Sequence, residues 1–319
     1  TRLMKDEGLV QISEPFEHLL TQGMVLAETY YREDDSGRRQ WFNPKDVETE
    51  HDAKGRVVAA RLISDGQAVV PGGVEKMAKS KNNGVDPAQL VARYGADTVR
   101  LFSMFAAPPE QSLEWSDAGV EGAWRFLKRM WTGVQTHVEA HPSIEASRGE
   151  GIERQEALDL RRQLHEAIKK VGDDFGRRYA FNTAIAALMA LSNEIAKFEA
   201  SNEAEVALVQ ECWEGVVMMI APVTPHISEA LWNTLGHTRS VFAAGWPSFD
   251  ESALVRQQVT VVIQVNGKVR DRMDVAPGLD QDSIESLAKN SENTARFLEG
   301  KTIRKVIVVP DKLVNIVAT

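Results

Sequence analysis

The sequence predicts a multidomain protein that combines mixed α/β parts with an all-α part. Residues 120–235 of the 319-residue chain repeat apolar side chains at three- and four-residue steps, as the helices of a bundle do. Residues 32–73 are charged and turn-rich but broken by short apolar runs, which indicates a small β-rich insertion. Residues 258–319 contain two alternating apolar runs around Asn266-Gly267, which indicates a β-hairpin in a separate, small C-terminal α+β domain.

Composition is typical of a cytoplasmic globular protein. Hydrophobic residues make up 43% and charged residues 26%. The chain has no run of eighteen apolar residues and its first residues lack the apolar core of a signal peptide, so we expect neither a membrane span nor a secretion signal. The single cysteine, Cys212, excludes an internal disulfide and a Cys-x-x-Cys zinc site. A net charge of -9 argues against a uniformly basic nucleic-acid binder but is compatible with local basic faces.

The first segment indicates that the natural protein continues upstream. Residues 3–7, followed by Gly8, resemble the last turn of a helix with a glycine stop, and the chain starts with Thr1 rather than Met. We therefore interpret the chain as a fragment or as one piece of a split protein. A short strand is predicted at 23–27, and further strands of the insertion at 39–42, 57–63 and 68–70, with a turn at Asp65-Gly66.

The next segment, residues 74–84, is predicted to be a polar loop that carries three lysines in six residues. A helix should follow it, because Asp86 suits the N-cap, Pro87 the first helical position and Gln89 the third. Another short helix is expected over 97–105.

Four apolar stripes predict the bundle, and Pro222 and Pro225 should end its last long helix. Its tryptophans are expected in the core rather than as base-stacking platforms; they include Trp124, Trp131, Trp213 and Trp232. His137 and His141 lie one helical turn apart, a spacing that could ligate zinc. No third ligand is evident, so the pair is better interpreted as a solvated helix end, and no metal site is predicted.

The three lysines of the loop, Lys76, Lys79 and Lys81, could hold a polyphosphate, since a lysine ammonium acts as a point charge toward phosphate oxygens. A mobile loop can deliver that charge as negative charge develops in a transition state. Taken alone, a lysine-rich loop is more often a solvated surface loop.

The surrounding residues favour the phosphate interpretation. Lys76-Met77-Ala78-Lys79-Ser80 resembles the KMSKS signature of class I aminoacyl-tRNA synthetases, and its continuation through Pro87 resembles the leucyl branch, with Asn82-Asn83 where valyl and isoleucyl relatives have a glycine-asparagine pair. Further matches occur in the family's order along nearly the whole chain: residues 93–100, 113–115, 121–127, 181–184, Thr224-Pro225-His226 and 264–270. The sequence departs from the motif at Ala78, where the family has serine. Loss of that hydroxyl removes at most a hydrogen bond, worth about 0.5–1.5 kcal/mol.

The resemblance implies a C-terminal portion of a bacterial-type leucyl-tRNA synthetase, which activates leucine with ATP and Mg²⁺ and transfers it to tRNA-Leu. It implies catalytic roles for Lys76, Lys79 and Ser80, with Lys79 on the phosphates, Lys76 in support and Met77 near the adenine. It also implies the end of a partial Rossmann-type catalytic domain at 1–31, a leucine-specific-type insertion at 32–73, the motif loop with connecting helices at 74–118, an anticodon-binding bundle at 119–250 and a tRNA-binding domain at 258–319.

The resemblance also implies partners. The family's other ATP signature, a His-x-Gly-His element, is absent from this sequence, so it and the editing domain are expected in a missing N-terminal half, in cis or as a second subunit. Expected phosphate contacts of the last domain are Lys268, Arg270, Arg272, Lys301, Arg304 and Lys305. The bundle's basic pairs are either tRNA contacts or an ordinary solvated face: Arg161-Arg162, Lys169-Lys170 and Arg177-Arg178.

Two alternatives remain open at this point. The chain could be a natural small subunit of a split enzyme rather than a fragment. It could also be a stand-alone tRNA-binding module with a vestigial ATP loop, for which Ala78 is the sequence hint.

Overall fold

A computed structural model describes residues 1–16, 18–54, 56–146, 149–255 and 259–319. It divides the chain into two compact units, Thr1–Phe249 and Asp250–Thr319. The fold is mixed α/β with helices and several small sheets, as predicted. No helix in these ranges is long and apolar enough to cross a membrane.

The first unit begins with a short helix, α1 (Arg2–Asp6), and its sheet is built around β1 (Val25–Glu33). Antiparallel partners of β1 are β2 (Arg39–Phe42) and β5 (Val70–Lys76), while β6 (Leu113–Glu114) pairs with its start in parallel. A hairpin of β3 (Val47–His51) and β4 (Val57–Leu62) lies between β2 and β5 in sequence. Tyr30 of β1 is buried against both hairpin strands, which gives the insertion its own small core.

Three details of this sheet differ from the sequence expectations. The strand predicted at 23–27 is longer and runs as β1 across the predicted domain boundary at 31/32. Strand β3 was not predicted, because its sequence, Val-Glu-Thr-Glu-His, has a single buried apolar residue, Val47. The prediction that the loop begins at 74 is wrong, since Val74 to Lys76 are paired with β1 and the loop begins only at Met77.

Two short helices, α2 (Pro87–Tyr94) and α3 (Ala96–Phe105), follow the loop and lead to the bundle. The expected start of α2 is confirmed, because the Asp86 carboxylate accepts a hydrogen bond from the backbone N–H of Ala88 at 3.0 Å. Gly95, with a φ of 84°, separates the two helices in a backbone conformation that favours glycine.

The bundle consists of α4 (Asp117–Ala140), α5 (Gln155–Asp173), α6 (Phe181–Lys197), α7 (Glu203–Ile220), α8 (Pro225–Thr234) and α9 (Val241–Ala244). Its core is continuous and includes the predicted apolar stripes. The predicted break is confirmed: α7 ends at Ile220 and α8 begins at Pro225.

Two expectations about the bundle's side chains are wrong. Trp213 and Trp232 are buried, but Trp124 and Trp131 are 39% and 40% exposed, because α4 turns these positions away from the neighbouring helices. His137 is not part of a solvated helix end: it is buried, and its Nε2 lies 3.0 Å from Oε1 of Gln210 on α7. Burial lowers the pKa of His137, since the charged imidazolium would lose its hydration.

The second unit is a four-stranded sheet with two helices on one face. Strands β7 (Val259–Val265) and β8 (Lys268–Val275) form the predicted hairpin, whose turn residues Asn266 and Gly267 both have positive φ. Helices α10 (Gln281–Asn290) and α11 (Glu292–Leu298) precede β9 (Ile303–Val309) and β10 (Leu313–Ala318), and the sheet order is β8-β7-β10-β9. The predicted first residue of this domain, 258, lies outside the described residues, and the compact unit begins at Asp250.

Candidate functional site

The lysine loop, residues 77–84, is folded into a tight turn at the end of β5. The backbone N–H of Met77 donates to the carbonyl of Val25 at 3.0 Å, which continues the ladder with β1 for one more residue. Lys79–Lys81 then form one 3₁₀ turn, and Asn82 ends the turn in the left-handed region with a φ of 49°. Asparagine tolerates this conformation better than most residues, which suits it to this position.

The side chain of Asn83 holds this turn through hydrogen bonds. Its side chain is fully buried, and its Oδ1 accepts a hydrogen bond from the backbone N–H of Ala78 at 2.8 Å. Its Nδ2 lies 3.4 Å from each of three carbonyl oxygens, those of Ala27, Glu75 and Lys76. The amide thus joins both ends of the loop to β1 and β5. These hydrogen bonds hold the turn in place, since its mostly polar residues offer little apolar packing.

The three lysines at this site, Lys76 at the end of β5 and Lys79 and Lys81 in the loop, differ in what they contact. Lys81 forms an ion pair with Glu75, and its ammonium lies 5.1 Å from the ring centre of Trp41. Lys76 and Lys79 are exposed, and within the described ranges neither side chain has an ion pair or hydrogen bond. Lys81 therefore anchors the loop to the sheet, while the other two ammonium groups remain available to a ligand.

The two other predicted site residues of the loop, Ser80 and Met77, differ in their exposure. Ser80 is exposed, and in the described part of the chain its hydroxyl has no hydrogen-bond partner; Met77 is half-buried beside β1. A hydrogen bond also connects the loop to the β-rich insertion: Nδ2 of Asn43 donates to the carbonyl of Gly84 at 3.1 Å. Residues of the sheet, the insertion and the loop therefore form one connected unit around the free lysines.

The chain is similar to known proteins over nearly its whole length. The family profile described as the anticodon-binding domain of tRNA ligase matches residues 158–286. Curated leucine--tRNA ligases from Chromohalobacter salexigens and Pseudomonas aeruginosa are 55% and 54% identical to the chain over 99% of its length. Over nearly its whole length, the chain is therefore similar to about a third of a bacterial leucine--tRNA ligase. It spans 37% and 36% of the length of these two relatives.

A solved structure of a leucyl-tRNA synthetase supports the fold. The crystal structure of a ternary complex, LeuRS-tRNA-LeuAMS, from Agrobacterium radiobacter matches 100% of this chain and 36% of that chain, with a TM-score of 0.64 and 26% identity. The match extends over both compact units of the present chain. The likeness in fold therefore covers the whole of this chain and about a third of that synthetase.

A carboxylate links the segment behind the lysine loop to the bundle. Asp97 lies in the first turn of α3, and its two oxygens accept from the backbone N–H of Ile227 at 2.7 Å and approach Nδ1 of His226 at 2.8 Å. The side chain of Asp97 thus caps the N-terminus of α8, where free N–H groups favour a negative charge. His226 is mostly exposed, so it is a hydrogen-bonding residue of the helix start rather than a packing residue.

The bundle's basic pairs are largely engaged within the protein. Arg177 pairs with Asp173, while Lys170 and Arg178 both contact the buried carboxylate of Asp174. Arg162 pairs with Asp159, and Arg161 lies 3.9 Å from Glu211. These contacts favour the interpretation of the pairs as a self-neutralised helix surface.

The six basic residues predicted to contact tRNA in the second unit do not form one patch. Arg272 and Lys305 lie on the sheet face away from the helices, but on the two edge strands, so that the two central strands separate them. Arg270 points to the other face, where its guanidinium carbon lies 4.0 Å from the ring centre of Phe297. The others are exposed near the ends of the sheet: Lys268, Lys301 and Arg304, of which Arg304 donates to Thr319.

Proposed function

We propose that the protein is a leucyl-tRNA synthetase in which this region supplies the ATP-phosphate loop and part of the tRNA-binding surface. The observation that carries the proposal is the arrangement of Lys76 and Lys79. Both are exposed and unpaired in the described part of the chain; Lys76 is the last residue of β5, and Lys79 lies on the turn that Asn83 and Lys81 hold in place. Such an arrangement presents two ammonium groups at little entropic cost, because its backbone is already ordered.

In the proposed reaction, the leucine carboxylate attacks the α-phosphate of ATP, leucyl-adenylate forms and pyrophosphate leaves. A ribose hydroxyl at the 3' end of tRNA-Leu then attacks the leucyl carbonyl carbon, the leucyl ester forms and AMP leaves. Lys79 would stabilise the charge that builds on the leaving diphosphate, Lys76 would support it, and Ser80 would donate a hydrogen bond. Met77, half-buried at the base of the loop, would contact the adenine.

Magnesium belongs to this proposal as a companion of ATP. Among the described residues, no three or more His, Cys, Asp or Glu side chains form a group that could hold a metal ion. The exposed lysines fit the phosphates, and Mg²⁺ would bind mainly through phosphate oxygens, as it commonly does in nucleotide sites.

The sheet around β1 would be the end of a partial Rossmann-type catalytic domain. One support is the parallel pairing of the start of β1 with β6, at Val25–Leu113 and Leu26–Glu114. Another is the close approach of the backbone at Gly23 to the segment before β6, since a Cβ atom there would lie 2.1 Å from the carbonyl oxygen of Gln111. Several apolar side chains of residues 1–24 are exposed, among them Leu9, Phe16 and Leu19. They would be buried by the N-terminal half that carries the His-x-Gly-His element and the editing domain.

The test is amino-acid-dependent ATP–pyrophosphate exchange by the full-length gene product. Leucine is expected to stimulate exchange, and the other protein amino acids are expected to do so much more weakly. Absence of leucine-dependent exchange, combined with retained tRNA binding, would instead support a stand-alone tRNA-binding module. The relatives do not favour that alternative, since the chain matches ligases at 52–55% identity.

A further inference from the structure

The outward face of α4 carries two tryptophans and a lysine in one line. Trp124, Lys128 and Trp131 are spaced by four and three residues, so they lie on the same side of the helix. We call these three residues the tryptophan face. The two indoles are 39% and 40% exposed, and both lie outside the set of side chains that pack on the bundle core.

The two tryptophans have different surroundings. The ammonium of Lys128 lies 5.2 Å from the ring centre of Trp124, and the ring of Tyr94 approaches Trp124 edge-on at 6.4 Å. Trp131 has no aromatic or cationic ring contact within the part of the chain that the structure describes. Trp124 therefore holds Lys128 in position through a cation–π contact, while the indole of Trp131 remains free.

The charge around this face is positive although the chain carries -9 overall. Between Glu121 and Glu139, α4 carries no acidic residue, but it carries three basic ones: Arg125, Lys128 and Arg129. Among the described residues, Lys128 and Arg129 make no ion pair, unlike the bundle's basic pairs described above. The tryptophan face thus lies in the stretch of α4 where positive charge is not neutralised.

A cavity of about 490 Å³ opens beside these side chains. Trp124, Lys128 and Trp131 line one wall, and α3 and the start of α8 line the other. The carboxylate in its lining is that of Asp97, whose two oxygens are already hydrogen-bonded to the start of α8. The cavity lining therefore combines the two indoles with the unpaired ammonium of Lys128, while its carboxylate is engaged.

We propose that the tryptophan face binds tRNA, with an unstacked base on the indole of Trp131 and the adjoining phosphate on the ammonium of Lys128. The inference rests on the proposed function, and it names a surface that contacts the tRNA. Aromatic rings that alternate with cations bind nucleic acid by stacking and charge together. A protein partner is a poorer fit, because the core of a protein interface is depleted in lysine.

The experiment uses the full-length protein and measures the KM for tRNA-Leu in charging, the Kd for the same tRNA over a range of salt, and leucine-dependent exchange without tRNA. Trp131→Leu removes the stacking ring, Trp131→Phe keeps a ring, and Lys128→Ala removes the phosphate contact. Arg177→Ala is the matched control, since Arg177 is an exposed bundle cation that is paired with Asp173. Thermal unfolding of every variant verifies that each one folds.

Trp131→Leu is expected to raise the KM and the Kd for tRNA about tenfold, while Trp131→Phe restores most of the binding. Lys128→Ala is expected to lower the slope of log Kd against log salt by about one. Exchange without tRNA should stay at the wild-type rate in all variants. Wild-type tRNA affinity in Trp131→Leu, or an equal loss in Trp131→Phe, would overturn the inference. Failure of wild-type exchange would instead refute the proposed function, and the Kd series would still decide the inference.

Discussion

Replacing Asn83 by alanine tests whether this buried amide holds the lysine loop. The substitution removes the 2.8 Å hydrogen bond to the N–H of Ala78 and the contacts of Nδ2 with three carbonyl oxygens at 3.4 Å. An Nδ2 group has two hydrogens, so at most two of those three carbonyls are served at once. A buried group left without a partner costs about 1–3 kcal/mol.

The expected weakening of the loop follows from this geometry. Part of the cost is relieved when water enters the vacated space. We therefore expect the free energy needed to open the loop to fall by about 2–3 kcal/mol. At 1.4 kcal/mol per factor of ten, the opened fraction would rise roughly 30- to 140-fold. Because opening is local, the melting temperature of the bundle should change little.

Limited digestion with trypsin measures the opened fraction. Trypsin cleaves after lysine, and the loop carries Lys79 and Lys81, so cleavage here should accelerate in Asn83→Ala by the factor given above. Asn82→Gly is the matched control, because it keeps the left-handed conformation and removes only a long 3.5 Å contact with Trp41. Equal cleavage rates in Asn83→Ala and Asn82→Gly, mapped to the loop by mass spectrometry, would refute the role of Asn83.

Three further predictions concern the rest of the chain. Asp97→Ala should destabilise the first unit by about 1–2 kcal/mol through loss of the cap on Ile227, and so lower its Tm by about 2–8 °C in calorimetry; an unchanged Tm would exclude the cap. Burial lowers the pKa of His137 in the folded chain. As the pH falls below about 6.5, this histidine therefore takes up a proton in the unfolded chain before it does so in the folded chain. The free energy of unfolding should consequently decrease between pH 7.5 and pH 5.5. Substitution by glutamine, which can still bond to Gln210, should flatten this pH dependence of Tm, and an identical pH dependence would contradict it. Deletion of residues 250–319 from the full-length protein should reduce tRNA charging far more than leucine-dependent exchange, and equal losses would assign that unit to the catalytic core.

Local sequence signals predicted most of the secondary structure. The Asp86-Pro87 helix start, the end of the long helix before Pro222 and the Asn266-Gly267 hairpin were predicted correctly, because each depends on backbone preferences of the residues themselves. Strand β3 was missed, since it depends on pairing with β4 and carries one buried apolar side chain.

Side-chain environments were harder to predict. Amphipathic periodicity places Trp124 and Trp131 on α4 but does not say how far the neighbouring helices extend, so their exposure was missed. His137 was assigned to a solvated helix end because its partner Gln210 is 73 residues away in sequence. Both errors have the same cause, which is that tertiary neighbours are not encoded in a local pattern.

The site itself was predicted in outline. The motif resemblance identified the lysine loop, but the sequence could not distinguish Lys81, which is paired with Glu75, from the two free lysines. Nor did it show that Asn83 supports the turn, since a buried amide and an exposed one look alike in a sequence. The asparagine pair was nevertheless a usable signal, because its second member is the residue that fixes the loop.

The most direct test of the account is the rate of leucine-dependent ATP–pyrophosphate exchange in full-length protein that carries Lys79→Ala. Lys81→Ala is the comparison, because Lys81 is held by Glu75 and Trp41 and should act only through loop stability. We predict that kcat falls by two or more orders of magnitude in Lys79→Ala, as expected when a group that stabilises transition-state charge is lost, and falls much less in Lys81→Ala (about 10²–10³ is typical for one such group). An exchange rate in Lys79→Ala equal to that of the wild type would contradict the account.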